Sequence, residues 1–319
     1  MRAPPLLLAL LASCSLSSLD DESPPSGQDR TEGTIRLEAE PITLQPGQEV
    51  TRCITARLPT RAPVDVVRIQ ARQSGTHHVV FYREEQDVPP SPTRDCRPLD
   101  ILGEGVRIER VPLFIGETPE AELTMPPGVA YRLRPGAAYT IEGHYMNATP
   151  APLTTSAVIL LHTAPAGAQV VEADMLFYAS VSALNKVYDG RQRGLPPGVT
   201  TTISPPGFRA PREGIKLFAL TSHQHRTGID FVISKSRGRD DPGQLLYRNQ
   251  DWAHPPLLRF PDEALITFDS SKGEGLRWEC TYHNTNDFYL TFGQSAVRNE
   301  MCILWGYYFP GRGFDLHFE

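Results

Sequence analysis

Long apolar runs are missing from this 319-residue chain. No uninterrupted stretch reaches the roughly 18 residues that a membrane-spanning helix needs. Basic blocks are missing too, and the formal net charge is −6, which argues against nucleic acid as a partner. No segment keeps a 3.6-residue apolar period with capping residues at both ends, so long helices are not predicted. No repeat is good enough to align the two halves. Flexible tracts rich in methionine or histidine, of the kind that suit a metal carrier, are also absent. Cysteine and methionine are scarce at five each, so the places where they occur carry information.

What is present points to strands. The chain is 40% hydrophobic and 21% charged, a composition of folded globular proteins. Its 30 prolines are roughly twice the usual share. Scattered proline among short β-branched runs favours strands and turns over helices. Val64–Ile69, Val79–Tyr82, Tyr139–Tyr145 and Ala157–Leu161 read as strands in the first half. Ile215–Thr221, Gly228–Ile233, Ala264–Phe268 and Met301–Tyr308 read as strands in the second. Pro127-Gly128 and Pro135-Gly136 punctuate them. The expected fold is all-β, with two consecutive β-sandwiches over residues 34–166 and 167–319.

The N-terminus is read as a targeting segment. Arg2 precedes the short apolar run Leu6–Ala12, which is too short for a membrane anchor. Leu11-Ala12-Ser13-Cys14 resembles the lipobox of bacterial lipoproteins. That resemblance implies a signal peptide over residues 1–13, a lipidated Cys14, and a polar tether over residues 14–33. The expected location is outside the cytoplasm: a bacterial membrane-anchored lipoprotein, periplasmic or outer-membrane, or otherwise a secreted protein. Membrane attachment is expected only through Cys14. Four further cysteines remain, Cys53, Cys96, Cys280 and Cys302. An even number in an exported chain suggests two disulfides. Three connectivities are open, and pairing nearest neighbours in sequence is the simplest.

Six residues form two candidate metal-ligand triplets, one in each half. The first is His77, His78 and His144; the second is His223, His225 and Met301. A thioether is a soft ligand that favours copper over zinc, calcium or magnesium, and imidazole suits copper in both oxidation states. Residues two apart on a strand share a face, so His223 and His225 can reach one ion. Adjacent strand residues point to opposite faces, so His77 and His78 can share an ion only at a bulge or through different ring nitrogens. His162, His254 and His317 have no partner pattern and read as surface or core residues. His283 is a weaker candidate for a supporting role.

Several segments together resemble the copper type II, ascorbate-dependent monooxygenases. They are His77-His78-Val79-Val80-Phe81, Gly143-His144-Tyr145, His223-Gln224-His225, Cys280–Thr285 and Asn299-Glu300-Met301-Cys302. They occur in the family's order over nearly the whole chain from about residue 35, and the cysteine separations also fit the family's disulfides. The resemblance implies two jelly-roll β-sandwiches with one copper in each, facing each other across a cleft. His77, His78 and His144 would hold the copper that receives electrons. His223, His225 and Met301 would hold the copper that binds dioxygen beside the substrate. The implied cofactors are two copper ions per chain, with dioxygen as co-substrate and ascorbate or another one-electron reductant as donor. The implied partners are a small-molecule substrate and an electron donor. No Ser/His/Asp or paired-carboxylate site is required.

The sequence departs from the amidating branch of that family. There an arginine precedes the His-x-His pair by two residues, and an asparagine and a tyrosine follow the methionine. Here Thr221, Ile303 and Trp305 occupy those positions, and no cation is present to grip a carboxylate. The expectation is a substrate other than peptidylglycine, less polar and aromatic or amine-like, held against Thr221, Ile303 and Trp305. No lyase domain is expected in the chain. The competing expectation is a non-catalytic copper-binding lipoprotein for storage, sensing or delivery.

Overall fold

A computed structural model describes residues 33–99 and 108–319. The expected signal peptide, Cys14 and nearly all of the tether lie outside these residues. Within them the protein is built almost wholly of strands, with one six-residue helix, Val181–Lys186. No helix among the described residues is long and apolar enough to cross a membrane.

The first half contains two main sheets. One runs Gly33–Glu38, Ala157–Thr163, Val64–Gln73, Val129–Leu133, Val171–Glu172, and Glu120–Thr124 also pairs with Val64–Gln73. The other runs Ser91–Asp95, Glu49–Arg57, Ala138–Met146, Thr76–Glu84, Arg110–Gly116. Alternation builds Glu49–Arg57, where Thr51, Cys53 and Thr55 are buried and the residues between them are less so. Ala138–Met146 is central in its sheet, so all of it but Met146 is buried.

The second half also has two sheets. One runs Leu258–Arg259, Lys216–His223, Ile303–Phe309, Asp174–Ala179, Asp315–Phe318. The other runs Thr200–Thr202, Gly275–His283, Gly228–Ser236, Gln244–Asn249, and Gly207–Arg209 also pairs with Gly275–His283. Ala264–Phe268, read as a strand from sequence, is not one. A 3₁₀ turn occupies Asp262–Ala264, and Ile266 makes only an isolated bridge to Leu217. The disulfides are Cys53–Cys96 and Cys280–Cys302, each joining residues within one half.

Two apolar clusters organise the interior. The smaller lies between the two sheets of the second half, around Trp278, Tyr282, Leu304 and Tyr308. The larger contains the interior of the first half and continues into the second through Phe177, Phe218, Met301, Ile303, Trp305 and Tyr307. The alternation of Ile303–Phe309 explains the split. Leu304 and Tyr308 face one cluster, while Ile303, Trp305 and Tyr307 face the other. The second half therefore presents an apolar sheet face to the first. Polar contacts fasten the same junction: Ile115 N donates to Tyr307 Oη at 3.1 Å, and Arg259 Nε to Thr124 O at 3.1 Å.

Candidate metal centre

Strand pairing places the first triplet. His144 lies opposite His78 in the ladder, but the next residue, Tyr145, pairs with Thr76. His77 is the extra residue of this bulge. A bulge re-aims a side chain that would otherwise point to the far face. The result is three converging rings, with His77 5.2 Å from His78 and 5.5 Å from His144, and His78 5.1 Å from His144, between centroids. All three are buried.

The second triplet is placed by a strand end. Lys216–His223 stops at His223, which pairs with Ile303. His225 lies in the following turn, closed by Gly228 N donating to His225 O at 2.9 Å, not on a continuing strand. The two rings are 5.2 Å apart. Met301 is buried just before Ile303–Phe309. Tyr282 Oη donates to the Met301 carbonyl at 2.7 Å.

The two histidine sets are not held apart across a cleft. His223 lies 4.9 Å from His77 and 5.0 Å from His78, and His225 lies 5.4 Å from His77. The five histidines form one buried cluster at the junction. The expectation of facing sites separated by open space is corrected by the apolar face that closes the halves together. Candidate ligand atoms fall within 4.8 Å of one another in three overlapping groups: His77/His78/His144, His77/His223/His225 and His78/Glu117/His223.

Carboxylates back the rings. His78 Nε2 donates to Glu142 at 3.3 Å, and His144 Nε2 to Glu49 at 2.9 Å. His223 Nδ1 is hydrogen-bonded to Glu117, which comes from the other half. His225 Nδ1 donates to the Asn299 carbonyl at 3.0 Å. Glu142 also accepts from Tyr82 Oη and Leu99 N. The remaining nitrogens of three of these rings, His78 Nδ1, His144 Nδ1 and His223 Nε2, are buried without a hydrogen-bond partner among the described residues, as is His77 Nε2. A buried unpaired imidazole nitrogen is costly unless a ligand takes it. An imidazole whose second nitrogen is held by a carboxylate is the usual arrangement of a metal ligand. The residues therefore fit a metal, and a set of neutral imidazoles suits copper.

Electrostatics agree with neutral rings. Burial, then the charges of neighbouring histidines, holds His77 and His78 well below the usual histidine range. Burial, reinforced by His144, pulls His223 down to about 3. Burial pushes Glu117 well above the usual carboxylate range. Burial also raises Glu49, but bonds from His144, Ser295 and Ala296 overcome it and bring its carboxyl to about 2. Neutral imidazole is the form that ligates a metal.

Glu300 is a further site residue. It is fully buried, and its carboxylate accepts from His225 N at 2.9 Å, Thr227 N at 2.8 Å and Thr227 Oγ1 at 2.5 Å. It thereby ties the His225 turn to the residue preceding Met301. Burial raises its carboxyl to about 7 against the opposing pull of those bonds.

The three positions expected to meet substrate are all buried. Thr221 pairs with Trp305, and Trp305 stacks edge-on against Phe177 at 4.6 Å. Thr221 lines a cavity of about 190 Å³ together with Glu117, Glu120, Glu122, Pro256 and Leu257. His283 is exposed, its ring bonded to Thr200 and its backbone N–H donating to Thr227 O at 2.8 Å. His162 is bonded to Thr34, Arg68 and Gln70, and His254 to Asp251.

Comparison with known proteins bears on the second half. Residues 202–317 match the family described as copper type II ascorbate-dependent monooxygenase, C-terminal domain. Tyramine beta-hydroxylase of Caenorhabditis briggsae is 29% identical over 100 residues, which span 31% of this chain and 17% of that protein. Dopamine beta-hydroxylase of Rattus norvegicus is 26% identical over 106 residues, 33% of this chain and 17% of that protein. Among solved structures, the major capsid protein P2 of bacteriophage PM2 aligns over 86% of this chain and 97% of its own, at 11% identity and a TM-score of 0.34. That score is too low to carry an argument. The matched segment, which contains His223, His225 and Met301, is thus similar to the C-terminal domain of the copper type II, ascorbate-dependent monooxygenases, and it spans less than a fifth of the length of these curated relatives.

Proposed function

We propose that this chain is a copper-dependent monooxygenase that hydroxylates an activated C–H bond of a small organic substrate. The balance is one C–H and one dioxygen, with two electrons and two protons from an external donor such as ascorbate, giving the alcohol and water. The observation that carries the reading is the buried histidine cluster, in which four rings each keep one nitrogen unpaired among the described residues while carboxyl groups hold three of them from behind.

Bound copper would supply one-electron redox chemistry and the activation of dioxygen. His77, His78 and His144 would hold one ion, and His223, His225 and Met301 the other. The chain's own part is preorganisation. Glu142 and Glu49 fix which nitrogen of the His78 and His144 rings carries the proton, and so leave the other free as a donor. The apolar junction excludes water from the cluster. The cavity lined by Thr221 offers the carboxylates of Glu120 and Glu122 and no cation among its lining residues. A substrate carboxylate would meet repulsion there, which supports a substrate other than peptidylglycine. An aromatic or amine-like substrate fits that lining better. The two disulfides fit an oxidising compartment, and anchoring through Cys14 is proposed on its sequence context.

The test is reductant-dependent dioxygen uptake by the copper-loaded chain, with copper counted in parallel. Two coppers per chain are expected, Met301→Ile and His144→Ala each weakening a different one, and uptake rising with an added phenylethylamine-type substrate but not with an acylglycine. Two coppers with no substrate-dependent uptake would favour storage or delivery of the metal instead.

A further inference from the structure

One carboxylate at the centre touches both halves. Glu49 begins the strand Glu49–Arg57 in the first half. Its Oε1 accepts from His144 Nε2 at 2.9 Å and from Ala296 N at 2.7 Å, and its Oε2 accepts from Ser295 Oγ at 2.8 Å. Ser295 and Ala296 belong to the second half. They open a tight turn in which Asn299 N donates to Ser295 O at 2.9 Å. The far end of that turn offers the Asn299 carbonyl to His225 Nδ1, and Glu300 and Met301 follow directly. A continuous hydrogen-bonded path thus runs from a ligand of one triplet to the ligands of the other: His144, Glu49, Ser295, Asn299, His225.

We propose that Glu49 is a positioning residue for both ligand sets, fixing the His144 ring and anchoring the turn that presents His225 and Met301. The first role follows from the carboxylate–imidazole contact, which sets the ring's tautomer and orientation. The second follows from geometry. The turn gives Glu49 two donors, a backbone N–H and a hydroxyl, at good hydrogen-bond distances. Bonds to an ionised acceptor are about twice as strong as neutral ones. Without Glu49 both donors would lose a charged partner in a partly buried place. Glu49 therefore acts on His225 and Met301 without touching either.

This rests on the copper reading above, and the test separates the two. Wild type, Glu49→Gln and Ser295→Ala are loaded with Cu(I). Copper is counted, affinity is measured by chelator competition, and X-ray absorption reports sulfur bound to copper, which only the Met301 set supplies. Unfolding of the metal-free chains checks that each variant folds. In Glu49→Gln, affinity at the three-histidine set falls about tenfold or more and the sulfur contribution also weakens. In Ser295→Ala, which leaves the His144 contact intact, the sulfur contribution weakens while affinity at the three-histidine set stays near wild type. A sulfur contribution unchanged in both variants overturns the proposal and leaves Glu49 a partner of His144 alone. A wild-type chain that takes up no copper overturns the functional reading and this proposal together.

Discussion

At the scale of single residues, the five clustered histidines were legible because histidines are few and stand in short, ordered segments. Their carboxylate partners were not. Glu49, Glu117, Glu142 and Glu300 have no common spacing, and strand register and the junction alone bring them to the rings. One signal was available: Glu142 is a charged residue inside Tyr139–Tyr145, a run that is otherwise uncharged except for His144. Such a residue needs a partner when buried. The Asn147-Ala148-Thr149 segment is likewise committed to internal bonds that its sequence does not show. Asn147 is buried, donating to the Leu44 and Ala151 carbonyls and accepting from Thr149. Glu300 gives a prediction at this scale. All its recorded partners are donors, so the amide of Glu300→Gln turns an N–H group toward at least one of them. The variant is expected to lose about 1–3 kcal/mol of stability. The urea midpoint of the metal-free chain measures this, and a midpoint equal to wild type would mean the carboxylate network is not structurally needed.

At the scale of elements, strand content was legible because proline and β-branched residues favour extended segments. Irregularities were harder. The sequence required a bulge if His77 and His78 were to share an ion, but only the ladder shows the shift at Tyr145. The two-residue spacing from His223 places His225 on a strand, whereas the strand stops and a turn delivers it. Sequence spacing fixes direction only while a strand continues. Gly143 offers a test of how tightly this element is built. A Cβ placed there would lie 2.3 Å from Cζ of Tyr145, whose ring is itself buried. Gly143→Ala must therefore push the ring or bend the strand that carries His144. Overpacking of this kind costs typically about 1–3 kcal/mol. The expected result is a lower urea midpoint together with weaker copper binding at the three-histidine set. Unchanged copper binding with a lowered midpoint would show that the strand absorbs the strain before it reaches His144.

At the scale of the whole molecule, the junction between the halves was not legible. Nothing in a local pattern says whether Ile303, Trp305 and Tyr307 face substrate, solvent or another sheet. The structure gives them to a cluster that also contains Phe81, Phe114 and Tyr139 of the first half. Domains that merely touch tend to have small polar interfaces and to move independently. Here one apolar cluster is shared, and Gln294 Nε2 donates to Pro98 O at 3.0 Å beside the Glu49 and Tyr307 contacts. Unfolding either half would expose part of the other's core. The metal-free chain is therefore expected to unfold in a single calorimetric transition whose calorimetric and van't Hoff enthalpies agree. Copper should raise the midpoint, because ligands from both halves exist together only in the folded state. A chelator should reverse the rise. Two resolved transitions, with copper moving only one, would mean that the shared cluster does not couple the halves, and that the buried histidines can separate without unfolding either sandwich.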